Sequence, residues 1–166
     1  MGPVAAGYSI PPRQQAILSK LSVKLQGWLS WHLATLKPTA PAGSGVAQAV
    51  IAIVDDDPRI RALLCDELED LGHRCLSCGS VQELLDGLSA EPPQLIFLDV
   101  MMPGTDGMAC LELLQQHQYR GQVLMFSGLD DPELKQQALA AGACGWVMKA
   151  ALFDQLPQLL RQHLPS

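Results

Sequence analysis

From Ala49 to the C-terminus, short apolar runs alternate five times with longer segments in which apolar residues recur at helical spacing. The runs are Ala49 to Val54, Arg74 to Cys78, Leu95 to Leu98, Gln122 to Phe126 and Gly145 to Met148. The longer segments are Pro58 to Leu71, Val81 to Ala90, Met108 to Gln118, Pro132 to Ala141 and Leu152 to His163. Mostly apolar strands are covered on both faces, and strands separated by helices pair in parallel through right-handed crossovers. The pattern predicts an α/β domain with a five-stranded parallel sheet sandwiched by helices. Asp57 before Pro58 reads as an N-cap followed by proline at the first helical position, and Gly72 and Gly142 are placed to stop helices. Sheets of this kind bind ligands beyond the carboxyl ends of their strands.

That edge is where the acidic residues fall. The first run ends in Asp55-Asp56-Asp57 and the third in Asp99, so three or four carboxylates converge there. Clustered carboxylates repel unless a hard divalent cation offsets them, and so few ligands suit Mg2+ with several waters retained. The fourth run leads into Ser127-Gly128 and the fifth into Lys149, adding a hydroxyl and an ammonium. A carboxylate can attack phosphorus while a cation and a lysine offset the charge on the transferring group. The assembly fits acyl-phosphate formation, and Gly128 would leave a path to it.

These residues resemble the receiver domain of bacterial response regulators, the family that includes the chemotaxis regulator. The resemblance covers about Val50 to Leu164. It rests on I-V-D-D-D-P at Ile53 to Pro58, L-D-V-M-M-P-G-T-D-G at Leu98 to Gly107, F-S-G at Phe126 to Gly128 and A-G-A-C-G-W-V-M-K at Ala141 to Lys149. It implies a (βα)5 flavodoxin-like fold with Asp99 as phosphoacceptor. It further implies Mg2+ held by Asp56, Asp99 and the backbone carbonyl of Met101, with Asp55 assisting through water. Ser127 and Lys149 would contact the phosphoryl group, and Trp146 falls at the family's switch aromatic. The implied partners are a histidine kinase or phosphotransfer protein and a downstream protein. The family usually has proline after the lysine, often in a cis bond, where this chain has Ala150.

The segment before the first strand differs in kind. Arg13, Lys20, Lys24 and Lys37 are its only charges, so it carries +4 within a total of -6 and leaves -10 for the rest. An acidic body repels phosphate backbones, which argues against direct nucleic-acid binding. Arg13 to Lys37 reads as an amphipathic helix, with Ile17, Leu21, Leu25, Trp28 and Leu36 on one broad face. Its cover is a second copy of the chain or another protein, ahead of the receiver's own surface, with membrane contact the least favoured. Pro38 to Gly45 has linker composition, which gives a helical segment over 1–37, a linker over 38–48 and the receiver over 49–166.

No apolar run approaches the roughly 20 residues that span a bilayer, and the start lacks a signal-peptide pattern, so the expected location is cytoplasmic. Five scattered cysteines are expected as reduced core thiols, including the Cys75-x-x-Cys78 pair. The leading functional reading is a phosphorylation-controlled protein-interaction switch that is not a metabolic enzyme and at most dephosphorylates itself slowly. A pseudo-receiver or assembly protein working through its N-terminal helix is the alternative. An aspartyl-nucleophile phosphatase would want a general acid two residues after Asp99, where Met101 stands.

Overall fold

The computed structural model describes residues 48–104 and 106–164. The expected helix over 1–37 and the linker up to residue 47 lie outside the described residues. The elements are β1 Val50–Val54, α1 Pro58–Asp70, β2 Arg74–Cys78, α2 Val81–Leu88, β3 Leu95–Asp99, α3 Gly107–Gln116, β4 Gln122–Ser127, α4 Pro132–Ala140, β5 Gly145–Met148 and α5 Lys149–His163. The five strands form one parallel sheet in the order β2-β1-β3-β4-β5. This is the expected five-stranded flavodoxin-like architecture. No helix among the described residues is long and apolar enough to cross a membrane.

The strand period of two divides the core between the sheet faces. Ala52, Val54, Ile96, Leu98, Val123 and Met125 meet Leu84 of α2 and Leu111 and Leu114 of α3 on one side. Ile51, Ile53, Leu95, Phe97, Leu124 and Phe126 meet Leu64 and Leu68 of α1 and Leu152, Leu156 and Leu160 of α5 on the other. Each fully buried side chain of this size contributes about 1.5–3 kcal/mol. Every residue of β1 and β3 is buried, as interior strands require, whereas the edge strand β2 keeps partly exposed positions. Asp57, Ser80, Asp106 and Asp131 cap α1 to α4, each side chain accepting a first-turn backbone N–H.

Two expectations need correction. Helix α5 begins at Lys149, three residues before the predicted Leu152. A residue preceding proline is pushed out of the helical region, and Ala150 lifts that restriction from Lys149. The described backbone contains no cis peptide bond, so Lys149-Ala150 is trans.

The second correction concerns the thiols, because Cys65 of α1 and Cys75 of β2 form a disulfide with Cα atoms 5.2 Å apart. The cause is matched rise on the two arms of a tight turn closed by Gly72 at φ +88°. Five residues back along a helix cover about 7.5 Å, and two residues along a strand cover about 6.6 Å. Cys78, Cys110 and Cys144 are free. Cys75 and Cys78, three apart on one strand, face opposite sides of the sheet and cannot act as a chelating pair.

Candidate functional site

Parallel strands deliver their following residues to one edge. Val54 pairs with Leu98, so Asp55 and Asp99 come next on neighbouring strands, while Ser127 pairs with Met148 and places Lys149 just beyond. Asp55 is 0% exposed and Asp99 1% exposed. Lys149 Nζ donates to Asp55 Oδ2 at 2.6 Å and to Asp99 Oδ2 at 2.8 Å. The remaining oxygens accept backbone N–H groups two residues on, Asp55 Oδ1 from Asp57 at 2.8 Å and Asp99 Oδ1 from Met101 at 3.2 Å. The Phe126 ring lies 5.0 Å below the Lys149 ammonium, within cation–π range.

The electrostatics are those of a charge-poor pocket holding an excess of anions. Burial pushes the Asp99 carboxyl up to about 6, with Lys149 opposing the rise and Asp55 adding to it. Burial also raises Asp55 against the pull of Lys149. Burial draws the lysine downward, but the two carboxylates outweigh it and leave Lys149 raised. Asp57 does not join the cluster. Its carboxylate caps α1 and pairs with Arg59 at 2.7 Å, and the hydrogen bonds from Arg59 hold it below the ordinary range. Asp56 is exposed, and oxygen atoms of Asp55, Asp56 and Asp99 lie within 4.8 Å of one another. Three carboxylates against one lysine, open to water on the Asp56 side, form a donor set that fits a hard divalent cation.

Ser127 is fully buried, and its Oγ accepts from the backbone N–H of Leu129 at 3.0 Å. Trp146 sits on β5 in register with Met125, packed against the core, and its Nε1 has no hydrogen-bond partner among the described residues. Met101 is 59% exposed and Gly128 is exposed, on the segments that follow Asp99 and Ser127.

Three residues escaped the sequence reading. Phe126 lies under Lys149, and only the F-S-G run marked it. Gly107 lets the start of α3 approach the backbone of Asp99, because a Cβ there would stand 2.3 Å from the Asp99 carbonyl oxygen. Its signal was the turn-forming run that ends in Asp106-Gly107. Arg61 donates from Nη1 to the Asp55 carbonyl at 2.6 Å and from Nε to Ser77 Oγ at 3.1 Å. Nothing in a lone helical arginine announces that role.

The chain has relatives among known proteins. The family model for the response regulator receiver domain matches residues 51–161. The chain is similar to the transcriptional activator protein ExaE of Pseudomonas putida, 40% identical over 103 residues that make up 61% of this chain and 48% of that protein. It is also similar to the nitrogen assimilation regulatory protein NtrX of Azorhizobium caulinodans, 32% identical over 118 residues, 70% of this chain and 26% of that protein. The chain thus spans half or less of the length of these relatives. The crystallised Vibrio cholerae chemotaxis protein CheY4 superposes with a TM-score of 0.66 at 30% identity, covering 71% of this chain and 100% of that one.

Proposed function

The chain belongs to the response regulator receiver domain family, and from that footing we propose that Asp99 is the residue on which it accepts a phosphoryl group. The observation that carries the assignment is the buried Asp99 carboxylate, bonded to Lys149 inside a cluster of three acidic side chains. Receiver domains of this family are phosphoacceptor switches rather than metabolic enzymes, and a non-phosphorylated assembly module is not favoured by a site in which each of these residues is present.

In the proposed reaction an oxygen of Asp99 forms a bond to phosphorus as the bond to the donor breaks, and the donor keeps the electron pair. Lys149 holds its N–H groups at Asp99 Oδ2 and can turn them onto the phosphoryl oxygens without leaving the pocket. Ser127 keeps its hydroxyl hydrogen for the phosphoryl group, since Oγ uses a lone pair to accept from Leu129 N–H. Mg2+ held by Asp56, Asp99 and the Met101 carbonyl, with Asp55 through water, would offset charge on those same oxygens. Movement of Ser127 toward the product would let Trp146 turn inward, passing the signal to the surface around β5.

A histidine kinase or phosphotransfer protein is the proposed donor, and a downstream protein reads the phosphorylated surface. The segment over 1–37 is proposed as the assembly element, pairing with a second copy. The deciding experiment incubates the full chain with Mg2+ and acetyl phosphate and follows intact mass. One phosphoryl increment that disappears in Asp99→Asn is expected. No increment, or one that persists in that variant, overturns the assignment.

A further inference from the structure

The pair Cys65 and Cys75 has no part in the proposed phosphoryl chemistry, yet it lies on the seam that leads to it. Four residues back along α1 from Cys65 is Arg61, and two residues on along β2 from Cys75 is Ser77. Those steps cover about 6 Å and about 6.6 Å, so the two pairs are successive rungs between the same helix and strand. The disulfide is one rung and the Arg61 Nε to Ser77 Oγ hydrogen bond is the other. Arg61 then reaches from the second rung to the Asp55 carbonyl, and the Asp55 N–H donates to the Cys78 carbonyl at 3.2 Å. The backbone that presents the acidic cluster is therefore tied to the α1–β2 seam at both backbone polar groups of Asp55. The guanidinium rests against Gly79, where a Cβ would lie 3.3 Å away.

We propose that Cys65 and Cys75 are a reversible redox-modification site, and that the bridge, through Arg61, sets how firmly the Asp55 end of the carboxylate cluster is held. Cys65 and Cys75 are partly exposed residues at the border of the core, and β2 is an edge strand, so the seam lies at the side of the sheet where small molecules arrive. Of the other thiols, Cys78 and Cys110 are buried and poorly suited to exchange, while Cys144 is exposed but has no cysteine bridged to it among the described residues. Burial pushes Cys78 up to about 11 and Cys110 up to about 12, and burial also raises Cys144. Ile60, Leu64 and Leu68 already anchor α1 to the sheet, so opening the bridge leaves α1 docked and removes only the lateral restraint.

The oxidant class is a small-molecule disulfide such as oxidised glutathione. One protein thiolate attacks it, forming a mixed disulfide and releasing one glutathione thiolate. The second protein thiolate then attacks the protein sulfur of that mixed disulfide and releases the second glutathione. Two electrons pass from the protein to the reagent, and the two protein S–H protons end on two glutathione thiols. Excess reduced glutathione reverses both steps.

The coupling to the carboxylates rests on the proposed metal site, whereas the redox pair does not, and the test separates them. The full chain is equilibrated in glutathione buffers from reducing to oxidising, quenched by alkylation and mapped by peptide mass. The expected result is one two-thiol transition confined to Cys65 and Cys75, unchanged in Cys144→Ser. Reduced protein should stay folded and melt roughly 10 °C lower. Calorimetric Mg2+ titration should give about fivefold tighter binding to the oxidised form, at the low end of couplings between distinct sites, and Arg61→Met should remove the difference. Cysteines that stay alkylatable in oxidising buffer overturn the redox site. Equal Mg2+ affinity in both states overturns the coupling. No Mg2+ binding in either state overturns the metal site and the coupling with it, while a cross-linked Cys65–Cys75 peptide in that sample still supports the redox site.

Discussion

Replacing Asp99 by Asn should make the metal-free protein more stable. The folded carboxyl titrates at about 6, against about 3.9 in an unfolded chain. The folded state therefore holds the proton more tightly, and ionising Asp99 in the pocket costs stability that is absent below about pH 4 and fully developed above about pH 6. A gap of about two pH units corresponds to about 3 kcal/mol. Asparagine keeps the shape and cannot ionise, so it removes chiefly the penalty of burying a charge and, to a lesser extent, the repulsion from Asp55, while retaining a carbonyl for Lys149. For a domain of this size that is roughly 10 °C in melting midpoint near pH 7.5. The assay is denaturant unfolding of parent and variant in chelator, at about pH 7.5 and about pH 4.5, and again with Mg2+. The advantage of the variant should shrink toward zero at the lower pH, and Mg2+ should narrow it by favouring the parent. A variant no more stable at neutral pH, or an advantage unaffected by pH, would refute the electrostatic reasoning.

Gly107→Ala should destabilise the domain by roughly 2–3 kcal/mol, since the added Cβ meets the Asp99 backbone and a helix-propensity gain of at most about 1 kcal/mol does not offset it. Denaturant midpoints measure the loss, and the phosphorylation rate should fall with it as the acceptor is displaced. Met101 and Leu129 stand two residues after Asp99 and Ser127. On the proposed chemistry apolar side chains there cannot orient an attacking water, so the double substitution Met101→Asn with Leu129→Glu should speed loss of the phosphoryl group about tenfold, or about 1.4 kcal/mol of barrier. Equal phosphate-release curves for parent and double variant would count against that.

The interior strands β1 and β3 were legible in the sequence because burial on both faces leaves unbroken apolar runs, and the edge strands β2 and β5, though only partly buried, have the predicted bounds. The site was legible for a related reason. In a parallel sheet the residue after each strand is delivered to a common edge, so Asp55, Asp99, Ser127 and Lys149 could be brought together without coordinates. Interactions that depend on how a helix lies across a strand were not legible. The Cys65–Cys75 bridge requires the rise of α1 to be matched to that of β2, and cysteine spacing carries no trace of it. The Asp55 carbonyl, which selects Arg61, is a backbone atom and leaves no mark in the sequence. Asp57, legible in the sequence as the cap of the first helix, is that cap and pairs with Arg59, which leaves three carboxylates rather than four in the cluster. The early start of α5 was readable in principle from Ala150, whose absence of a ring frees Lys149 to turn into the helix.

The bonds that Lys149 makes join it to a residue 94 positions earlier and to another 50 positions earlier. Neighbouring strands of the sheet meet only across intervening helices, so contacts at this edge have high sequence separation and form slowly. Closing so long a span costs chain entropy before any contact at the edge offsets it. Lys149 cannot neutralise Asp55 and Asp99 until β5 has docked on β4, and until then the two carboxylates remain hydrated and unopposed. The cluster of Asp55, Asp99 and Lys149 is thus complete only once β1, β3, β4 and β5 have come together, and the lysine bridge is the mark of that assembly.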